Sequence, residues 1–208
     1  MSVAVLEAQP LLSEAAGRRA ERPVSPLFLE RWSPRAFADE TIPEETLLNI
    51  FEAARWAPSA YNAQPWRFVY ARRGSAAWND FLNALLPFNQ IWARSAAALV
   101  IVLSDPAFTP PGKSESTTLA SASFDAGAAW ASFALQAHEF GWATHAMGGF
   151  DPEAARRVVK APAQYRVEAV VAIGKRGEPD SLPELLRARE APTQRRPIGE
   201  TVFDGALA

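Results

Sequence analysis

The run Ala97-Ala98-Leu99-Val100-Ile101-Val102-Leu103 is apolar throughout, and it constrains the fold more than any other stretch of this chain. A strand with one wet face alternates apolar and polar side chains. An unbroken run of this length therefore suits a β-strand buried on both faces. Phe68 to Ala71 and Glu168 to Gly174 read as two further strands. Pro43, Glu44 and Glu45 open a helix in which Leu47, Ile50, Phe51 and Ala54 recur at i, i+3, i+4 and i+7, and that stripe must face a core. Ser123 to Phe140 reads as a long helix ended by Gly141, with alanines that permit close packing. Asp151-Pro152-Glu153 supplies an N-cap, a first-turn proline and an acidic residue for a helix over 152–160. Ser25-Pro26 opens a shorter one over Leu27 to Trp32.

Residues 104 to 120 are rich in Pro, Ser and Thr and read as a long loop, of the kind that serves as a lid or binding element. Residues 1 to about 22 carry Arg18, Arg19, Arg22 and several alanines. They are expected to form a short helix or an arm, mobile or draped over a partner. Residues 23–208 then make one domain.

Composition narrows the chemistry. The chain has 208 residues, 49% hydrophobic and 21% charged, which suits one ordinary globular unit. A net charge of -2 and a pI near 5.8 argue against general nucleic-acid binding. With no cysteine, disulfides, thiolate catalysis and cysteine-ligated metals are excluded, and two histidines are too few for a histidine-rich metal site. There is no apolar run of signal-peptide or membrane-spanning length, so a cytoplasmic protein without a membrane partner is expected.

Two segments point to a ligand. Arg31-Trp32-Ser33-Pro34-Arg35 offers two guanidinium groups and a hydroxyl, donors suited to a phosphate dianion or an electron-rich ring edge. Taken alone, it reads more readily as a solvated arginine pair at a helix end. Pro58-Ser59-Ala60-Tyr61-Asn62-Ala63-Gln64-Pro65-Trp66 is a loop whose prolines restrict the backbone, so that amides and the Ser59 and Asn62 side chains are presented at little ordering cost. Its end, Gln64-Pro65-Trp66, reads as structural on its own, with Trp66 a core anchor. Gly148-Gly149 lets the backbone approach a flat ring closely, and suits a helix-to-helix turn equally well. Arg195-Arg196 is either a solvated tail or a phosphate contact. His138 reads as a packed or surface histidine and His145 as structural, although His145, two residues before Met147, could line the pocket.

In order and spacing, these segments resemble the FMN-dependent nitroreductase family over roughly residues 25 to 205. That family pairs an Arg-x-Ser-x-Arg/Lys segment with a Pro-Ser-Ser-x-Asn-x-Gln-Pro-Trp loop one helix later; here Ala60 replaces the second serine. The resemblance implies an α+β fold, a mainly antiparallel central sheet flanked by helices, in an intertwined homodimer with two FMN sites at its interface. It implies that Arg31 and Ser33 hold phosphate and ribityl oxygens and that Arg35 stabilises the reduced ring edge. Pro58, Ser59, Ala60 and Asn62 would act across the interface. Gly148 and Gly149 would present amides to flavin N5 and O4, with Ala146 and Met147 over one ring face. Asn89 would meet the pyrimidine edge, and Arg195 the phosphate. Many relatives carry Glu at the position of Gly148, so a less acidic, wider substrate pocket is expected.

The activity so implied is hydride transfer from NADH or NADPH through FMN to a small aromatic or quinone-like acceptor, such as a nitroaromatic, in a ping-pong sequence with no side-chain nucleophile. Three alternatives stand beside it: a flavoenzyme acting on a specialised metabolite without nicotinamide as donor, a non-catalytic FMN store or sensor, and a flavin-free interaction protein.

Overall fold

The computed structural model describes residues 11–207. The first half of the chain gives β1 (Leu12–Ala15), β2 (Arg18–Val24), α1 (Pro26–Glu30), α2 (Glu44–Arg55), β3 (Trp66–Arg72), α3 (Trp78–Asn83), α4 (Pro87–Ala93) and β4 (Ala98–Ser104). The second gives β5 (Ala107–Phe108), β6 (Thr117–Thr118), α5 (Ala122–Glu139), β7 (Ala143–Met147), α6 (Pro152–Val158), β8 (Arg166–Gly174) and α7 (Glu184–Arg187). The central sheet has the order β3-β4-β8-β7, antiparallel at every step.

The apolar run is strand β4, every residue of it buried, in the middle of that sheet. Alternation sends Val100 and Val102 toward one face, packed with Leu47, Ile50 and Ala54 of α2 and Phe133 and Ala137 of α5. Leu99, Ile101 and Leu103 point the other way, against Phe81, Trp92 and Ala155 from α3, α4 and α6, and Leu85 from the link between α3 and α4. The result is a helix–sheet–helix sandwich with two cores. Alanines at 126, 129, 134 and 137 let α5 approach its neighbours closely.

Three features differ from the sequence reading. Residues 12–24 form a β-hairpin, not a helix or a free arm; the first ten residues of that expected arm lie outside the described residues. The hairpin turns through Ala16 and Gly17, both at positive φ (51° and 71°), as a two-residue type I′ turn requires. Alanine rarely adopts that conformation, so the pair does not read as a turn. The expected loop over 104–120 contains a short hairpin, β5 with β6. Gly148 and Gly149 follow a strand, β7, not a helix, so the helix-to-helix alternative falls.

Among the described residues no helix is long and apolar enough to cross a membrane, and no cluster of His, Asp or Glu could hold a metal ion.

Candidate functional site

After α1 the chain runs extended from Arg31, and its residues 31–36 are gripped from two sides. Glu190 Oε1 accepts the backbone amides of Arg35 and Ala36 at 2.7 and 2.8 Å. On the other side the Pro34 carbonyl lies 3.0 Å from His145 Nδ1. A carbonyl only accepts, so Nδ1 carries the proton of a neutral imidazole. Burial pushes the His145 pKa down to about 4, with the Arg35 charge adding to it and the carbonyls of Pro34 and Ser33 opposing it. The imidazole ring lies 4.7 Å from Trp92, and the Arg35 guanidinium sits 6.0 Å from the same indole.

This grip opens a cavity of about 500 Å³, around which stand Arg18, Arg31, Arg35, Arg189 and Arg195, together with Ser33 and His145. Arg31, Ser33, Arg35 and Arg195 thus come together as the sequence suggested. Arg31 Nη1 donates to Ser33 Oγ at 3.4 Å. Among the described residues none of the five arginines is in an ion pair. Burial, with Arg195 beside it, holds Arg31 below the usual arginine range, and burial with Arg195 and Arg31 does the same to Arg18. Like charges held this close and partly desolvated are costly unless an anion joins them.

Asn89, Met147, Gly148 and Gly149 do not line the arginine cavity; the last three lie at and beyond the end of β7, the strand that carries His145. His145 and Met147 are two residues apart and so share the sheet face that carries Trp92. Asn89, on α4, donates from Nδ2 to the Gly149 carbonyl at 2.9 Å, and a Cβ on Gly149 would fall 2.6 Å from that nitrogen. One N–H of the Asn89 amide is therefore used by the glycine turn, which it holds in place. A Cβ on Gly148 would meet nothing within 4 Å.

Pro58, Ser59, Ala60 and Asn62 do not line the arginine cavity. They sit against the start of α5, where the buried carboxylate of Asp125 accepts the Ala60 amide at 3.2 Å and the Ser121 hydroxyl at 3.0 Å. Ser59 Oγ accepts the Gln64 amide at 3.1 Å. Tyr61, Asn62 and Gln64 all have φ near 50°, a conformation that Asn adopts readily but that Tyr and Gln seldom do, and the surrounding bonds hold it. Trp66 is buried, the core anchor expected of it.

The model of the nitroreductase family matches residues 29–175, the stretch containing both motifs and the central sheet. The chain belongs to the nitroreductase family. A solved structure described as an oxidoreductase containing FMN superposes with a TM-score of 0.91 at 44% identity, over 95% of this chain and 99% of that one. A candidate nitroreductase from Desulfovibrio desulfuricans in complex with FMN is 25% identical, with a TM-score of 0.66 over 91% of this chain and 100% of that one. The NADH dehydrogenase of Thermus thermophilus is 29% identical over 173 residues, 70% of this chain and 83% of the relative.

Several members of this nitroreductase site escape sequence reasoning. Arg18 is hidden in a hairpin whose turn is not recognisable, and Arg189 and Glu190 sit in an irregular segment near the C-terminus. Asp125 did leave a signal: a single carboxylate among the small and apolar residues of a buried helix needs a partner.

Proposed function

We propose that this nitroreductase-family protein is an FMN-dependent oxidoreductase that uses NADH or NADPH to reduce electron-poor acceptors such as nitroaromatics or quinones. The observation that carries the reading is the cavity of unpaired guanidinium groups walled by His145, its ring against Trp92. That donor set fits the phosphate of FMN: charged, partly desolvated and, among the described residues, in no ion pair. The chemistry that FMN supplies when bound is hydride transfer, from the nicotinamide to the acceptor, in two half-reactions.

The side chains bind and orient. Arg31, Ser33 and Arg195 would hold the phosphate and ribityl oxygens. Arg35, its backbone fixed by Glu190, would place positive charge at the ring edge that becomes electron-rich on reduction. His145, its pKa pushed down to about 4 by burial, is neutral at pH 7 and keeps the 31–36 segment in place through the Pro34 carbonyl. Gly148 and Gly149, held by Asn89, would present backbone amides to the ring, beside Met147. The open space at Gly148 suits bulky, uncharged acceptors.

Pro58, Ser59, Ala60 and Asn62 would reach the flavin held by a second copy of the chain. Supporting that assembly, Leu48, Trp56, Tyr61 and Phe124 expose 51%, 75%, 74% and 81% of their surface around this loop, an apolar patch that a dimer would cover. A cytoplasmic setting, where reduced nicotinamide is at hand, goes with the reading.

The test is initial-rate kinetics with NADH and NADPH against a nitroaromatic and a quinone. Parallel double-reciprocal lines support two half-reactions at one site. FMN-loaded protein that turns over neither acceptor with either donor overturns the activity.

A further inference from the structure

Arg18 stands eleven residues before the segment that matches the family. Only 6% of it is exposed, an unusual burial for arginine. Its Nη1 donates to the carbonyls of Leu29 at 3.0 Å and Arg31 at 2.7 Å, bracing the backbone of the residue expected to meet the phosphate. Its Nε is buried without a partner, and among the described residues Nη2 has none either. The side chain lines both the arginine cavity and the neighbouring cleft shared with Arg31 and Arg195.

The C-terminal segment fixes this placement. Gln194 Nε2 donates to the Gly17 carbonyl at 2.9 Å, and Gln194 Oε1 accepts the Arg19 amide at 3.2 Å. One side chain thus reads the backbone on both sides of Arg18, and its neighbour in sequence, Arg195, faces the same cavity. Glu21 Oε1 adds a second tie by accepting the Ile198 amide at 3.1 Å. Glu21 and Glu190, acids on the same two segments, bond backbone amides and form no ion pair with Arg18.

Three guanidinium groups from three separated segments converge, and among the described residues none of them is in an ion pair; Glu21, which lines the neighbouring cleft, has its Oε1 on the Ile198 amide. We infer that Arg18 is a further ligand of a phosphate dianion, clasped into position by Gln194, and that it makes the site select phosphate monoesters over their unphosphorylated parents. The inference rests on the flavin reading for the identity of the ester, FMN over riboflavin, but not for the anion site itself.

The experiment compares flavin-free full-length wild type with Arg18→Met, Arg18→Lys and, as a control on the exposed side of α6 away from the arginine cavity, Arg157→Met. FMN and riboflavin are titrated by quenching of flavin fluorescence. One charge-assisted contact predicts that Arg18→Met weakens FMN about tenfold or more while riboflavin changes less than about twofold, with Arg157→Met like wild type. Arg18→Lys keeps the charge and loses the fork, so a smaller loss confined to FMN is expected, and it decides the matter if the methionine variant does not fold. Equal weakening of FMN and riboflavin would reduce Arg18 to a brace for the hairpin and overturn the inference, as would unchanged FMN binding. A second readout separates the two readings: the rise in melting temperature with inorganic phosphate. If wild type binds no flavin but is stabilised by phosphate, and Arg18→Met is not, the flavin reading fails while the anion site stands. Equal stabilisation of both proteins by phosphate overturns the role of Arg18 whatever flavin does.

Discussion

Glu190 accepts the backbone amide of Arg35 at 2.7 Å across a sequence separation of 155 residues. The same oxygen takes the Ala36 amide at 2.8 Å, so one carboxylate near the C-terminus sets the direction of the chain where it passes the arginine cavity. Replacing it with alanine strands two partly buried donors. The expected cost for Glu190→Ala is about 1–3 kcal/mol in urea unfolding, together with weaker FMN binding. Glu190→Gln keeps an acceptor oxygen and should lose less than half as much. Equal losses in the two variants would mean that charge, and not the hydrogen bonds, is what matters there.

Arg35 is the residue assigned to the ring edge. Arg35→Ala should retain FMN yet make it harder to reduce, lowering the two-electron midpoint potential by about 30–60 mV, the scale of one to three kcal/mol for such a couple. Spectroelectrochemistry of the reconstituted variant measures this directly. A potential equal to that of wild type would remove Arg35 from the ring edge.

Asp125 ties the Pro58–Gln64 loop to α5. Asp125→Ala leaves the Ala60 amide without its partner and releases a loop with three residues near φ 50°. We expect about 1–3 kcal/mol of destabilisation and faster amide exchange confined to residues 59–64. Uniform exchange across the chain would show that Asp125 serves the core and not the loop.

Much of this architecture was legible beforehand because single residues carried it. The apolar run became β4, the i, i+3, i+4, i+7 stripe became the buried face of α2, and Asp151 caps α6 through the amides of Glu153 and Ala154. Arg31, Ser33 and Arg35 share one cavity because motif spacing records a short loop faithfully, whereas Arg195 joins them from 160 residues away and was suggested only by the family resemblance. The hairpin stayed hidden because Ala16 carries a backbone conformation that its side chain disfavours. β7 stayed hidden because Thr144 and His145 interrupt its alternation, yet one is buried and the other packs on Trp92. Glu190 and Asp125 act through contacts far apart in sequence, which no local pattern encodes.

His145 makes stability depend on pH. Its folded pKa, about 4, lies below the ordinary 6.5, so between these values the unfolded chain binds more protons. Its contribution is complete above pH 6.5 and is lost as pH falls toward 4, by at most about 3 kcal/mol. His145→Gln, which cannot titrate, should flatten urea-unfolding stability between pH 4 and 6.5 relative to wild type. Parallel pH profiles for the two proteins would place the titration elsewhere.

The most direct test of the account is an anaerobic visible spectrum of the full-length protein reconstituted with FMN, recorded before and after adding NADH or NADPH. The account predicts stoichiometric flavin whose oxidised band bleaches with at least one donor and returns when a quinone is added. Bound flavin that stays oxidised with both donors would contradict it.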